Sequence, residues 1–96
     1  MWANRVELIE MEEILVYYAP WCGDCRVAKR VFEEHDIQYR MVNIDEDKAA
    51  QQKVQEINGG YKSIPTILFP SGAVVVEPTG PELITKLREE GLIPAG

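Results

Sequence analysis

The sequence predicts a small α/β domain in the order β-α-β-α-β-β-α, with a four-stranded mixed sheet and helices on both faces. Three observations lead there. Strand-length apolar runs alternate with helix-period stripes from Glu13 to Ile57. The helical crossovers between those runs make the first two strands parallel. A Pro-Ser-Gly turn then joins two short β-forming runs, which adds an antiparallel pair.

The first strand is EILVYYA (13–19), a continuous apolar run rich in β-formers, as a strand covered on both faces requires. Val27, Ala28, Val31 and Phe32 then recur at helical spacing, with Arg26, Lys29, Arg30, Glu33 and Glu34 off the stripe. IQYRMVNID (37–45) alternates Ile37, Tyr39 and Met41 with polar residues and reads as the second strand. The next helix runs from Asp47 to Ile57, with Ala49, Ala50, Val54 and Ile57 on one side. Asn58-Gly59-Gly60 ends it, since these residues tolerate left-handed backbone. TILF (66–69) and AVVV (73–76) form a hairpin about Pro70-Ser71-Gly72. Thr79 and Glu82 make a capping box for the last helix, Pro81 suits its first turn, and Leu83, Ile84 and Leu87 supply its buried face before Gly91 stops it. Residues 1–12 form an N-terminal extension ahead of a 13–92 domain. Their apolar positions suit either a helical turn or an extra edge strand.

Ninety-six residues make one domain, and an apolar fraction of 46% is enough for one core. The net charge of −6 opposes a nucleic-acid partner, whose phosphates need a basic face. No apolar run approaches the roughly 18 residues that span a bilayer. The Arg- and Glu-studded N-terminus is not a signal peptide. A cytoplasmic monomer is therefore expected, in a compartment where a close cysteine pair is catalytic or metal-binding more often than a permanent staple.

Cys22 and Cys25 are the only two cysteines, with two residues between them: Cys22 stands where the first strand turns into the first helix, and Cys25 one turn into that helix. That position brings Cys22 close to the unpaired N–H groups of a helix N-terminus, which favour the thiolate. Arg26, Lys29 and Arg30 add positive charge along the helix, and Asp24 opposes it. Cys25, three residues on, lies on the same side and deeper. An exposed thiolate attacks a substrate disulfide, and the second thiol then resolves the mixed disulfide. Zinc needs four ligands where this pair supplies two, and His35 is too far along the helix to add a third. A disulfide across two residues restrains little of the unfolded chain. A shared iron–sulfur cluster on Cys22 stays open as a carrier alternative.

Ser63-Ile64-Pro65-Thr66 precedes the third strand. Pro65 is either an ordinary trans proline at a strand start or a cis proline that offers the Ile64 backbone to an extended peptide. The hairpin's placement beside the first strand favours the second. Lys62 can reach a substrate carboxylate or serve as a plain solvated lysine.

Trp21-Cys22-Gly23-Asp24-Cys25, Asn58-Gly59-Gly60 and Ser63-Ile64-Pro65-Thr66, in that order, give the chain a family likeness over about residues 13–92. It resembles the glutaredoxins of the thioredoxin superfamily, and among them the mycoredoxin-like members. The resemblance implies the thioredoxin fold, a cis Pro65 near Cys22, Cys22 as catalytic nucleophile and Cys25 as resolving thiol. It also implies substrate contacts from Tyr18, Trp21, Ile64 and Pro65, and from Thr79 and Gly80, which open the last helix. No bound cofactor and no metal are expected for a disulfide reductase of this kind. The expected partners are disulfide-containing proteins or mixed disulfides. Tyr18-Ala19-Pro20 stands where glutathione-dependent members carry a lysine, and Pro78-Thr79-Gly80-Pro81-Glu82 replaces their Gly-Gly-x-x-Asp stretch. Glutathione, mycothiol and direct reduction by a thioredoxin reductase are thus all open as electron sources. Ala19-Pro20-Trp21-Cys22-Gly23 is also similar to a thioredoxin active site, although Val16 stands where thioredoxins keep a buried acid.

Overall fold

The computed structural model describes residues 13–23 and 25–95, so the expectations for residues 1–12 and for Asp24 lie outside the described residues. Four strands and three helices follow the expected order: β1 (Ile14–Tyr18), α1 (Cys25–Glu34), β2 (Tyr39–Asn43), α2 (Lys48–Ile57), β3 (Thr66–Leu68), β4 (Val74–Val76) and α3 (Gly80–Glu89). The sheet order is β2-β1-β3-β4. β1 runs parallel to β2, and the β1–β3 and β3–β4 pairs are antiparallel. This is the thioredoxin-like arrangement.

β1 is buried on both faces because its alternate side chains feed two separate cores. Ile14 and Val16 join Ala28, Val31 and Phe32 of α1 and Leu83 and Leu87 of α3, with Ile67 and Phe69 from the hairpin. Tyr17 and Ala19 join Ala50 and Val54 of α2, with Ile44 and Ile64. Helices α1 and α3 therefore cover one face and α2 the other. Phe32 meets Tyr39 of β2 with ring centroids 5.2 Å apart, which ties α1 to the sheet edge.

Local chemistry sets the ends. Asp47 caps α2 by accepting from the Ala50 N–H. Gly59, at φ +64°, allows the chain to leave α2 in a left-handed turn in which Gly60 N–H donates to Gln55 O at 2.7 Å. The Thr79–Glu82 capping box forms as expected: Thr79 N–H donates to Glu82 Oε1 at 2.8 Å and Glu82 N–H to Thr79 Oγ1 at 3.2 Å. Two side chains depart from the expected stripe of α2. Ala49 is exposed and Ile57 only partly buried, while Ala50 and Val54 alone carry that face. The helix meets the sheet along one narrow line, and a small alanine next to that line stays in solvent. No helix among the described residues is long and apolar enough to cross a membrane.

Candidate active site

The strand register brings four loops to one end of the sheet. Tyr17 pairs with Val42 and Thr66, and Thr66 pairs with Val76. The segments after β1, β2 and β4 and the segment before β3 therefore lie together. They carry most of the residues named from the sequence: Trp21 and Cys22 after β1 (which ends at Tyr18), Ile64 and Pro65 before β3, and Thr79 and Gly80 after β4.

Cys22 lies in the loop between β1 and α1. Its N–H donates to Ala19 O at 3.0 Å, and Arg26 N–H donates to Gly23 O at 3.3 Å, so tight turns rather than regular helix lead into α1. Cys25 stands at the first described helical position, not one turn inside as the spacing suggested. The two thiols differ sharply in access. Cys25 is 5% exposed, whereas Cys22 is half-buried and packs against the Tyr17–Ala19–Ile64 cluster. Both line a cavity of about 270 Å³ with Tyr18, Ala19, Pro20, Arg26, Lys29 and Met41. Among the described residues no three metal-ligating side chains come together.

The Ile64–Pro65 peptide is cis. The loop that carries it is pinned from three directions. Thr66 Oγ1 donates to Ser63 O at 2.6 Å and accepts from Asn58 Nδ2 at 3.0 Å. Asn58 Nδ2 also reaches Val54 O at 2.9 Å, and Glu77 N–H donates to Pro65 O at 2.9 Å. The Asn58 amide, read from the sequence only as a helix stop, thus joins the end of α2 to the proline loop. Ile64 is buried in the Tyr17 cluster, and Thr66 is fully buried.

Trp21 is 66% exposed, yet its Nε1–H donates to Asp45 Oδ2 at 3.1 Å. Asn43 Oδ1 accepts from Asp45 N–H at 2.9 Å and shapes the loop that presents this carboxylate. Sequence reading passed over Asp45 and Met41. Each acts through the β1–β2 pairing, and that pairing leaves no local pattern.

Of the residues expected to meet substrate, only Tyr18 lines the cavity; Trp21, Ile64, Pro65, Thr79 and Gly80 do not. Lys62 is exposed and also lies off the cavity. Thr79 and Gly80 open α3, and a Cβ added at Gly80 would meet Val27 Cγ1 of α1 at 3.9 Å, an ordinary contact. Burial first, and the Asp47 charge second, push the Tyr17 hydroxyl up from its usual range, so it stays protonated at neutral pH. The Thr79 backbone hydrogen bond holds the Glu82 carboxyl below the usual carboxylate range.

The comparisons with known proteins agree with this architecture. The family model described as Glutaredoxin matches residues 14–72. A protein of Mycobacterium tuberculosis that carries the name glutaredoxin is 32% identical over 77% of this chain and 88% of its own. Mycoredoxin 1 of Corynebacterium glutamicum is 26% identical over 81% of this chain and 96% of its own. The crystal structure of a glutaredoxin from Archaeoglobus fulgidus superposes with a TM-score of 0.70 at 22% identity, covering 86% of this chain and 94% of that one, a likeness of fold. The chain belongs to the glutaredoxin family and is a thiol–disulfide oxidoreductase.

Proposed function

We propose that Cys22 is the attacking thiol and Cys25 the resolving thiol of a dithiol reductase acting on protein disulfides and mixed disulfides. The observation that carries this reading is the graded access of two thiols that line one cavity: Cys22 is half-buried and Cys25 5% exposed. A substrate sulfur reaches the first more easily than the second.

The Cys22 thiolate attacks one sulfur of the substrate disulfide, forming a Cys22–substrate disulfide, and the other substrate sulfur leaves and takes a proton. Cys25, as thiolate, then attacks Cys22 Sγ. The second substrate sulfur leaves, and two electrons have passed from the Cys22–Cys25 dithiol to the substrate. A low-molecular-weight thiol returns the electrons by attacking the Cys22–Cys25 disulfide, and a second thiol molecule releases the first as its own disulfide. The exposed indole of Trp21 and the pinned Ile64–Pro65 loop give the substrate chain two surfaces beside Cys22.

The test is reduction of a mixed disulfide by wild type and two variants. Cys22→Ser is expected to lose exchange altogether. Cys25→Ser is expected to attack once and accumulate the Cys22–substrate disulfide, seen as a mass adduct. Undiminished turnover by Cys22→Ser would sink the assignment. Glutathione, mycothiol and a thioredoxin reductase, supplied in turn to the oxidised protein, identify the electron source. Reduction by the reductase alone would overturn the low-molecular-weight thiol.

A further inference from the structure

Thr66 carries a fully buried hydroxyl into an inner strand of the sheet. It opens β3, paired with Tyr17 of β1 on one side and Val76 of β4 on the other. A valine would suit such a strand position equally well, and a hydroxyl there loses its water. The hydroxyl instead sits in a chain of three hydrogen bonds. Asn58 Nδ2 donates to Val54 O at 2.9 Å and to Thr66 Oγ1 at 3.0 Å, and Thr66 Oγ1 donates to Ser63 O at 2.6 Å. Val54 O can only accept, which fixes the amide with its nitrogen toward Thr66. The amide thus uses both protons and fills an acceptor site of the hydroxyl. The one Thr66 hydroxyl proton is committed to Ser63 O.

The two carbonyls that flank Ile64 are held in different ways. Pro65 O accepts from the Glu77 N–H at 2.9 Å, a backbone bond that depends on no side chain. Ser63 O is held through the side chains of Thr66 and Asn58. Between them, the Ile64 N–H and O form no hydrogen bond among the described residues, although Ile64 is only 6% exposed. Its side chain lies in the cluster against which Cys22 packs. The residue is anchored by its side chain while its main-chain donor and acceptor stay unpaired.

We infer that Asn58 and Thr66 are positioning residues for exchange with a peptidyl substrate: their relay to Ser63 O orients the Ile64 main chain, with which the main chain of the substrate pairs. The inference rests on the reading of Cys22 as the attacking thiol and of this loop as a surface for the substrate chain. Neither side chain lines the cavity that holds the two thiols, so the relay acts through Ser63 and Ile64. The substrate chain is held equally before and during the attack. The effect therefore falls on the half-saturating concentration rather than on the limiting rate. A disulfide that carries no peptide backbone gains nothing from the Ile64 main chain, so the relay separates peptidyl from non-peptidyl substrates.

The test uses the full chain, reduced beforehand, in single turnovers with two probes that share a leaving group. One is a blocked cysteine peptide joined by a disulfide to nitrothiobenzoate, and the other is mercaptoethanol joined in the same way. Release of nitrothiobenzoate gives a limiting rate and a half-saturating concentration for each. Wild type is expected to prefer the peptide probe. Thr66→Val removes the hydroxyl at nearly constant volume. It is expected to lower that preference by roughly threefold to tenfold, the scale of one lost hydrogen bond, through a higher half-saturating concentration for the peptide. Thr66→Ser keeps the hydroxyl and is expected to keep the preference. Asn58→Asp keeps the size of the side chain, cannot donate, and draws the Thr66 proton away from Ser63 O, so it is expected to lower the preference as well. Added to Thr66→Val it is expected to lower it no further, as two members of one relay do. Circular dichroism checks each variant; where Thr66→Val does not fold, Asn58→Asp against Thr66→Ser decides by the same ratio. A wild type without preference for the peptide, a Thr66→Val or Asn58→Asp that keeps it, or a Thr66→Ser that loses as much as Thr66→Val overturns the relay, while release from the mercaptoethanol probe keeps the exchange reading. Failure to release nitrothiobenzoate from either probe overturns both.

Discussion

The two flanks of Cys22 are built on opposite plans. Toward β3, the Ile64–Pro65 loop is closed on itself and on its neighbours: Ser63, Thr66, Asn58 and Glu77 all hold it through hydrogen bonds. Toward β2, Arg26 and Lys29 line the cavity with no ion pair among the described residues. One flank has met its polar needs during folding. The other keeps its charges exposed to solvent. An extended chain beside a reactive sulfur needs a backbone already in place, because ordering it at the moment of binding would cost affinity.

The largest break in this comparison is expected from Asn58→Ala on the tied flank. It removes the amide that bridges Val54 O and Thr66 Oγ1, and Thr66 is fully buried. Leaving that oxygen short of a donor costs about 1–3 kcal/mol, read as a lower urea midpoint at unchanged m-value. Turnover is expected to fall as well if the loop receives the substrate chain as proposed above. A stability equal to wild type would show that the tie holds nothing.

Thr79→Ala comes next. Loss of the α3 cap costs about 1 kcal/mol. Glu82, its partner in the box, gives a pH signature. Its carboxyl is held below its unfolded value by the Thr79 hydrogen bonds. The associated stability is therefore present above the unfolded carboxylate pKa and is lost as pH falls through the lower folded value. Glu82→Gln is expected to flatten that part of the acid limb, followed by urea midpoints across pH. An acid limb as steep as wild type would remove Glu82 from the account.

Asp45→Ala should be the smallest change. It frees the Trp21 indole at an exposed site, so stability is expected to move by less than about 0.5 kcal/mol. The visible effect is on motion: in a Trp2→Phe background, Trp21 fluorescence anisotropy drops and KM for peptide disulfides rises. Unchanged anisotropy would mean that the bond to Asp45 does not hold the ring.

Much of this molecule is legible in order along the chain, because the signals are local. Val27, Ala28, Val31 and Phe32 mark the buried side of α1 by spacing alone, and all four pack into or against one core. Thr79 and Glu82 specify a helix start within four residues. Pro70-Ser71-Gly72 makes its turn with Gly72 at φ +95°. Spacing also places Cys22 between strand and helix, where it lies, with Cys25 in α1. It was less reliable at helix edges: Ala49 satisfies the period of α2 and still faces solvent, since period does not tell how wide a stripe the sheet covers.

By itself, then, the sequence determined the element order, the caps and turns, and the strand-to-helix junction that carries both thiols, because propensity, capping and apolar period act over a few residues. Only the tertiary structure decided what surrounds those thiols. Met41 joins Arg26 and Lys29 because β2 pairs with β1 in one particular register, Val16 opposite Met41. Trp21 meets Asp45 from 24 positions away, and Asn58 meets Thr66 across the end of α2. Such contacts depend on how elements dock, and docking is set by two whole cores rather than by any short stretch of chain.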